Sequence, residues 1–420
     1  MVIKAPMIPF DKMLVNPKSF RAFGPTSVLL SANQETVFRK EIRGASFSNA
    51  SFRVAGYIPQ FDGLRGISIL AVFAAHSEFL RALPHANLAE YGRVGVDLFF
   101  VLSGFLITGI LIDSRDFPHY FRNFYARRTL RIWPLYYVVL TLTLIGTTLL
   151  GNSFGPQKWQ VWPYFYLYLQ NLFQDLTIPY GLGLTWSLAI EEQFYLAWPL
   201  VIFVLRKKAL AITLVCFSLL SLVLRITAYE HGASLKFIHN FTLCKLDAIA
   251  FGSLAALWLR SEGCTRLLWR RRAVQSMAVG VIGVIAARIF FHDQSTVVSY
   301  TFIAIGFTGV LGIALISDPD RSLLGKVLSS RWLRYTGRIS YGLYLVHLPI
   351  FLAITEFARE RPPILGSPTL SNVVGAVAQV SAAFLIASIS WRFLETPLLR
   401  LKSHFAVSHI QDGRPHPNWS

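Results

Sequence analysis

The chain has 420 residues, of which 54% are hydrophobic and only 15% charged, whereas a soluble domain carries roughly 25% charged residues. That balance excludes an ordinary soluble enzyme and points to a polytopic membrane protein. A net charge of +18 would suggest nucleic acid in a soluble protein. In a membrane protein it reports orientation, so no nucleic-acid partner is expected. Cys216, Cys244 and Cys264 show no paired or metal-ligand spacing, so neither a disulfide framework nor a metal site is expected.

Residues 1–56 are polar, basic and rich in Ser, Asn and Phe, and they lack the short apolar core and small-residue cleavage site of a signal peptide. They are expected to form a cytoplasmic, partly disordered extension. From 57 to 400 the chain alternates short loops with apolar stretches long enough to cross a bilayer core of about 30 Å. Ten such stretches fall at about 66–83, 93–112, 132–150, 185–205, 209–228, 241–259, 273–291, 299–317, 339–358 and 373–394. The fold expected is therefore an all-α integral membrane protein of about ten transmembrane helices. The shorter aromatic run VWPYFYLYLQNLF (161–173) fits an interfacial or re-entrant piece, because Trp and Tyr favour that zone. Residues 401–420 read as a short cytoplasmic tail.

With the N-terminus placed in the cytoplasm, 31 of the 40 Lys and Arg fall on the cytoplasmic side, eight on the other, and Lys245 inside a span. The bias alternates with every span, so both termini are expected in the cytoplasm.

Ionisable residues inside spans are costly, face a protein interior or a wet cavity, and mark function by default. The first span opens FDGLRGISILAVFAAH (61–76). Arg65 and His76 are eleven residues apart, about 20° past three helical turns, so they share one face some 16 Å apart along the axis. Arg65 is expected at the cytoplasmic edge and His76 near the bilayer midplane. Asp97 lies near the outer end of the second span. Arg127, Arg128 and Arg131 cluster before the third, in NFYARRTLRIWPLYY (123–137), where arginines can grip phosphates through bidentate contacts. The fourth span enters with TWSLAIEEQFYLAWPL (185–200). Its adjacent Glu191 and Glu192 diverge by about 100°, so one can face a cavity while the other finds a different partner. Lys245 and Asp247 of the sixth span suggest an internal, structural ion pair. His347 sits midway along the ninth.

A histidine supported by a carboxylate can act as general base on a hydroxyl. The nucleophile elbow G-x-S-x-G, the P-loop and H-E-x-x-H are all missing. No histidine is followed five residues later by Asp, so the His-x4-Asp signature of soluble glycerolipid acyltransferases is missing too. A transporter or flippase of a lipid-linked sugar would use similar buried charges, and charge alone leaves that reading open.

Six segments, in order across about residues 57–400, resemble the membrane acyltransferase-3 family of bacterial O-acyltransferases: FDGLRGISILAVFAAH, GVDLFFVLSGFLIT, FYARRTLRIWPLYY, TWSLAIEEQFYLAWPL, SYGLYLVHLPI and FLETPLLR. The resemblance implies transfer of an acyl group, usually acetyl, from cytoplasmic acyl-CoA to a hydroxyl of a carbohydrate such as lipopolysaccharide O-antigen or exopolysaccharide. It implies a multi-pass protein of the bacterial inner membrane with no permanently bound cofactor. Its partners would be acyl-CoA, a glycan or lipid-linked glycan acceptor, the bilayer and glycan-assembly proteins.

The family's Arg-x10-His motif maps onto Arg65 and His76, and its arginine motif onto Arg128 and Arg131. Its Trp-Ser-Leu…Glu stretch maps onto Trp186, Ser187 and Glu191, and the ninth-span pattern onto Tyr344 and His347. On this reading His76 is the base, Glu191 orients its ring, and Arg65, Arg128 and Arg131 hold the coenzyme A phosphates. Asp97, Trp186, Ser187, Tyr344 and His347 support them. Some members carry a fused SGNH domain. The short tail leads us to expect none here, and any second transfer outside the cytoplasm would need another protein.

Overall fold

The computed structural model describes residues 57–82, 92–149, 159–173 and 178–405. The expected N-terminal extension lies outside the described residues, as does the tail beyond 405. Ten main helices occupy the ten expected positions: α1 (Pro59–His76), α2 (Gly95–Ser114), α3 (Tyr120–Leu149), α4 (Trp186–Val204), α5 (Lys207–Glu230), α6 (Leu246–Leu259), α7 (Arg266–Phe290), α8 (Ser295–Ile316), α9 (Ser340–Arg359) and α10 (Pro368–Ser390). Among the described residues no strand occurs. Eight helical stretches, which include α2–α5 and α7–α10, are long and apolar enough to cross a membrane. The other two are α1, 18 residues carrying Asp62 and Arg65, and the 14-residue α6. The protein is an all-α integral membrane protein.

The first helix departs from its expected limits. It begins at Pro59, whose fixed φ suits the first turn and whose missing N–H costs nothing there. It ends at His76, because Ser77 turns extended (φ −79°, ψ 111°). The Ser77 hydroxyl accepts from the Leu80 N–H at 3.3 Å, capping a short helix Glu78–Arg81. His76 is therefore the last residue of its helix rather than the middle of a span.

Close packing sets the helices that carry the site. α2 and α6 cross where a β-carbon on Gly104 would overlap the Ile249 carbonyl and one on Gly252 the Val101 carbonyl. Without side chains the two backbones meet directly, as is common between membrane helices. The aromatic run at 161–173 folds into a 3₁₀ turn (Trp159–Val161) and a short helix (Trp162–Tyr166), then reverses at Tyr168. Tyr168 has φ 56°, unusual for a side-chain-bearing residue. Its ring stacks on Tyr136 of α3 at 4.3 Å, and the Tyr136 hydroxyl donates to the Phe165 carbonyl at 2.7 Å. The segment thus packs on α3 through these contacts.

Past α10 the chain makes a π-helical turn (Trp391–Glu395) and stays helical through Phe405, beyond the expected boundary at 400. Such turns occur often at functional sites, and this one brings Trp391 against α3.

Candidate active site

Polar side chains form successive levels along α1, α3, α4 and α9. The lowest level is basic. The Arg128 guanidinium lies over Phe124 (5.8 Å) and Tyr195 (5.5 Å), and that of Arg131 over Trp391 (5.4 Å). Arg65 is 3.2 Å from Asp62, one turn earlier on its own helix. It is also close enough to act electrostatically on Arg128, Arg131 and Glu191. Lys402 feels Arg127, Arg128 and Arg131 in the same way. Among the described residues, no carboxylate lies within salt-bridge distance of Arg128 or Arg131. Aromatic rings hold these guanidiniums, and Arg131 also donates to the Arg338 carbonyl at 3.4 Å; the donors left over suit an incoming anion.

One level up, the two glutamates part as their 100° separation requires. Glu191 Oε1 accepts from Ser103 of α2 at 2.6 Å, and the Tyr195 hydroxyl donates to that serine at 3.4 Å. Glu192 Oε2 accepts from Trp133 Nε1 at 3.0 Å, while its Oε1 is buried with no partner. Next come Ser187 and Tyr344, whose hydroxyl oxygens are 2.6 Å apart, with Tyr344 donating to the Leu184 carbonyl at 2.9 Å.

At the top two imidazoles meet, His76 from the end of α1 and His347 from α9, with ring centroids 5.6 Å apart. Nδ1 of His76 is 2.8 Å from the Val72 carbonyl, and Nδ1 of His347 is 2.9 Å from that of Tyr344. A carbonyl only accepts, so each Nδ1 carries the proton and each Nε2 keeps its lone pair. His347 is fully buried and its Nε2 has no partner. His76 is half-buried, so it is the more accessible base.

The arrangement corrects three expectations. Glu191 is bonded to Ser103 and does not orient His76; that bond comes from the Val72 carbonyl of the same helix. Nor do Lys245 and Asp247 pair. Lys245 bonds Asp97 at 2.9 Å and Asp247 bonds Arg225 at 2.6 Å, because residues two apart on a helix face different neighbours. By its place near the end of the fifth span, Arg225 reads as one of the eight charges on the outer side. It is instead fully buried in α5, donating to Val297 at 2.9 Å and also to Cys244 and Thr301.

This charged quartet adjoins the site through one row of rings. The Lys245 ammonium sits 3.7 Å from the Tyr300 ring centre, the Tyr300 hydroxyl is 3.0 Å from His239 Nδ1, and His239 packs on Trp186 at 4.7 Å. His239 lies in a short helix between α5 and α6. Burial, reinforced by the Lys245 and Arg93 charges, holds it well below the usual histidine range.

Sequence reasoning missed Ser103, Tyr195 and a clamp behind His76. Ser77 Oγ donates to Gln379 Oε1 at 2.6 Å, and Gln379 Nε2 donates to the Phe351 carbonyl and to Thr355 Oγ1, both at 3.0 Å. The signal was a lone amide in the apolar tenth span.

The acyltransferase-3 model, described as an acyltransferase domain, matches residues 58–392. Peptidoglycan O-acetyltransferase OatA of Listeria monocytogenes is 32% identical over 367 residues, 81% of this chain and 56% of that protein. Putative peptidoglycan O-acetyltransferase YrhL of Bacillus subtilis is 29% identical over 81% of this chain and 55% of its own length. O-acetyltransferase OatA of Staphylococcus aureus is 31% identical over 81% and 57%. The chain thus spans about half the length of these curated relatives. No solved structure matches.

Proposed function

This chain belongs to the acyltransferase-3 family, and from that premise we propose that it moves an acyl group, acetyl first among candidates, from acyl-CoA to a carbohydrate hydroxyl. The observation that carries the reading is the half-buried His76, its Nδ1 tied to the Val72 carbonyl and its Nε2 free, three turns along α1 from Arg65 and the arginine cluster. Arg65, Arg128 and Arg131 receive the phosphates of acyl-CoA from the cytoplasm, and the thioester extends past Glu191 toward the imidazoles. His76 Nε2 takes the proton of the acceptor hydroxyl as its oxygen attacks the thioester carbonyl. The carbon–sulfur bond breaks, an ester forms, and the proton passes from the imidazolium to the departing thiolate. His347, shut away from solvent, packs beside the base and does not replace it. Glu191 balances the Arg128 and Arg65 charges.

We place both termini in the cytoplasm and the protein in the bacterial inner membrane, on the charge bias of the loops. The names of two relatives make peptidoglycan the first acceptor to try, ahead of O-antigen or exopolysaccharide.

The test uses membranes carrying wild type or His76→Ala at equal, verified insertion, supplied with radiolabelled acetyl-CoA and glycan extracts. Label that enters glycan only with His76 present supports the reading. Label independent of His76 moves the base elsewhere. No label from any donor or acceptor returns the transport reading.

A further inference from the structure

A recess opens beside the start of α4, away from the arginines. It lies between the aromatic run and the turn that leads into α4, and its walls include Phe165, Gln170, Asn171, Trp186, Phe237 and Asn240. The space a small group can occupy measures about 30 Å³, within about 450 Å³ that includes the open mouth. That is room for a hydroxyl or hydroxymethyl group, with a larger body left outside.

One wall atom is left over. Gln170 is 7% exposed. Its Nε2 donates to the Thr185 carbonyl at 2.9 Å, which fixes the amide orientation, since that carbonyl can only accept. Its Oε1 is buried with no donor. Neighbouring Asn171 is fully engaged: it donates to Asn240 (3.2 Å) and Thr242 (2.7 Å) and accepts from Gln193 (2.9 Å). A buried acceptor without a donor is costly, and Gln170 is one of the residues that line the recess.

The turn beyond Gln170 connects the recess to the site. Its successive carbonyls are shared out: Thr185 accepts from Gln170 on the recess side, and Leu184 accepts from Tyr344, one helical turn before His347. Gln170 and Tyr344 thus bond neighbouring carbonyls of one turn, and Tyr344 lies one helical turn before His347.

We propose that this recess is a subsite for the carbohydrate acceptor. Gln170 Oε1 accepts a hydrogen bond from a saccharide hydroxyl, and the aromatic walls pack on the apolar face of the sugar. The anchored hydroxyl differs from the one that is acylated. This deepens the reading of the reaction above and rests on it. It also brings donor and acceptor in from opposite ends of α4.

The test measures acetyl transfer from acetyl-CoA to soluble peptidoglycan glycan fragments by the full chain in detergent, varying donor and acceptor separately. Gln170→Leu removes the acceptor atom. Gly183→Val crowds the recess while leaving the Gln170 bonds in place, and a β-carbon there makes only ordinary contacts, the nearest at 3.6 Å. Both variants are expected to raise the acceptor half-saturation about tenfold, the loss of roughly one hydrogen bond, with the acetyl-CoA half-saturation within about twofold of wild type. Should Gln170→Leu fail to insert, Gly183→Val decides alone. Wild-type acceptor dependence in Gly183→Val means the recess holds only water and overturns the proposal. A parallel rise in both half-saturations also overturns it. Failure of the wild-type chain to transfer acetyl to any glycan instead removes the reaction reading itself, which is a different signature.

Discussion

Two polar regions lie side by side inside this bundle and treat their charges in opposite ways. Between α2, α5, α6 and α8, Asp97 pairs with Lys245 and Asp247 with Arg225, each side chain no more than 2% exposed. Each cation there has its own carboxylate. Between α1, α3, α4 and α9 Arg65 pairs with Asp62 of its own helix, but the other charges lack such partners. Arg128 and Arg131 rest on rings, Glu192 keeps one bare oxygen, and His347 keeps a bare nitrogen. Burying a charge is expensive unless a partner offsets it. The first region offsets its charges within the fold, though Asp97 Oδ2 has no partner; on the proposed reading the second leaves donors and acceptors open for a substrate. On the proposed reading, pairing rather than burial separates structural charges from chemical ones here.

Removing a group on the open side should cost activity and little stability. His76→Ala is expected to lower transfer by about 10²- to 10⁴-fold, the usual worth of a general base, with the melting temperature in detergent unchanged. A melting temperature that falls with the activity would place His76 among the structural groups.

The converse holds on the paired side. Asp247→Ala strands the Arg225 charge in a dry interior and is expected to destabilise the protein by about 3–5 kcal/mol. It should be read as lower membrane levels and a lower melting temperature. The double change Arg225→Met, Asp247→Leu removes both charges and should recover much of the loss. If the single and double variants melt alike, the quartet is not the closed structural unit its geometry describes.

A smaller effect is expected at the ring-held guanidiniums. Arg128→Ala should raise the KM for acyl-CoA about tenfold through loss of a charge-assisted contact to phosphate. Arg128→Lys should restore only part, because an ammonium lacks the planar fork. A fall in kcat at unchanged KM would mean that Arg128 shapes the site without holding the donor.

Much of this arrangement could be read from the chain. Span positions follow from apolar length, and the divergence of Glu191 from Glu192 follows from helix geometry. Contacts made across the bundle could not be read. Periodicity puts Arg65 and His76 on one face, yet it cannot show that Ser77 stops the helix or that a backbone carbonyl holds the ring. Lys245 and Asp247 look paired because they are close in sequence, and a helix turns them apart. Arg225 near a span end looks like a topology signal, since hydropathy does not reveal that Asp247 lies opposite. The Gln170 recess depends on a reversal at Tyr168 that nothing in the local sequence demands.

The smallest predicted effect tests whether the two regions are bridged by a third kind of polar group, one fully paired and serving the chemistry at a distance. Gln379 is fully buried and bonds Ser77, the Phe351 carbonyl and Thr355. Its amide is fully bonded, and it fastens the residue after His76 to the helix that carries His347. Gln379→Leu keeps similar bulk and releases that fastening. Because a small misplacement of a reacting group slows chemistry more than binding, kcat should fall several-fold to about tenfold while the KM for acyl-CoA holds. Ser77→Ala cuts the same link from the other side, so the double variant should be little worse than either alone. Additive losses, or a fall in insertion that matches the fall in kcat, would return Gln379 to the structural class and leave the Val72 carbonyl as the group that fixes the His76 ring.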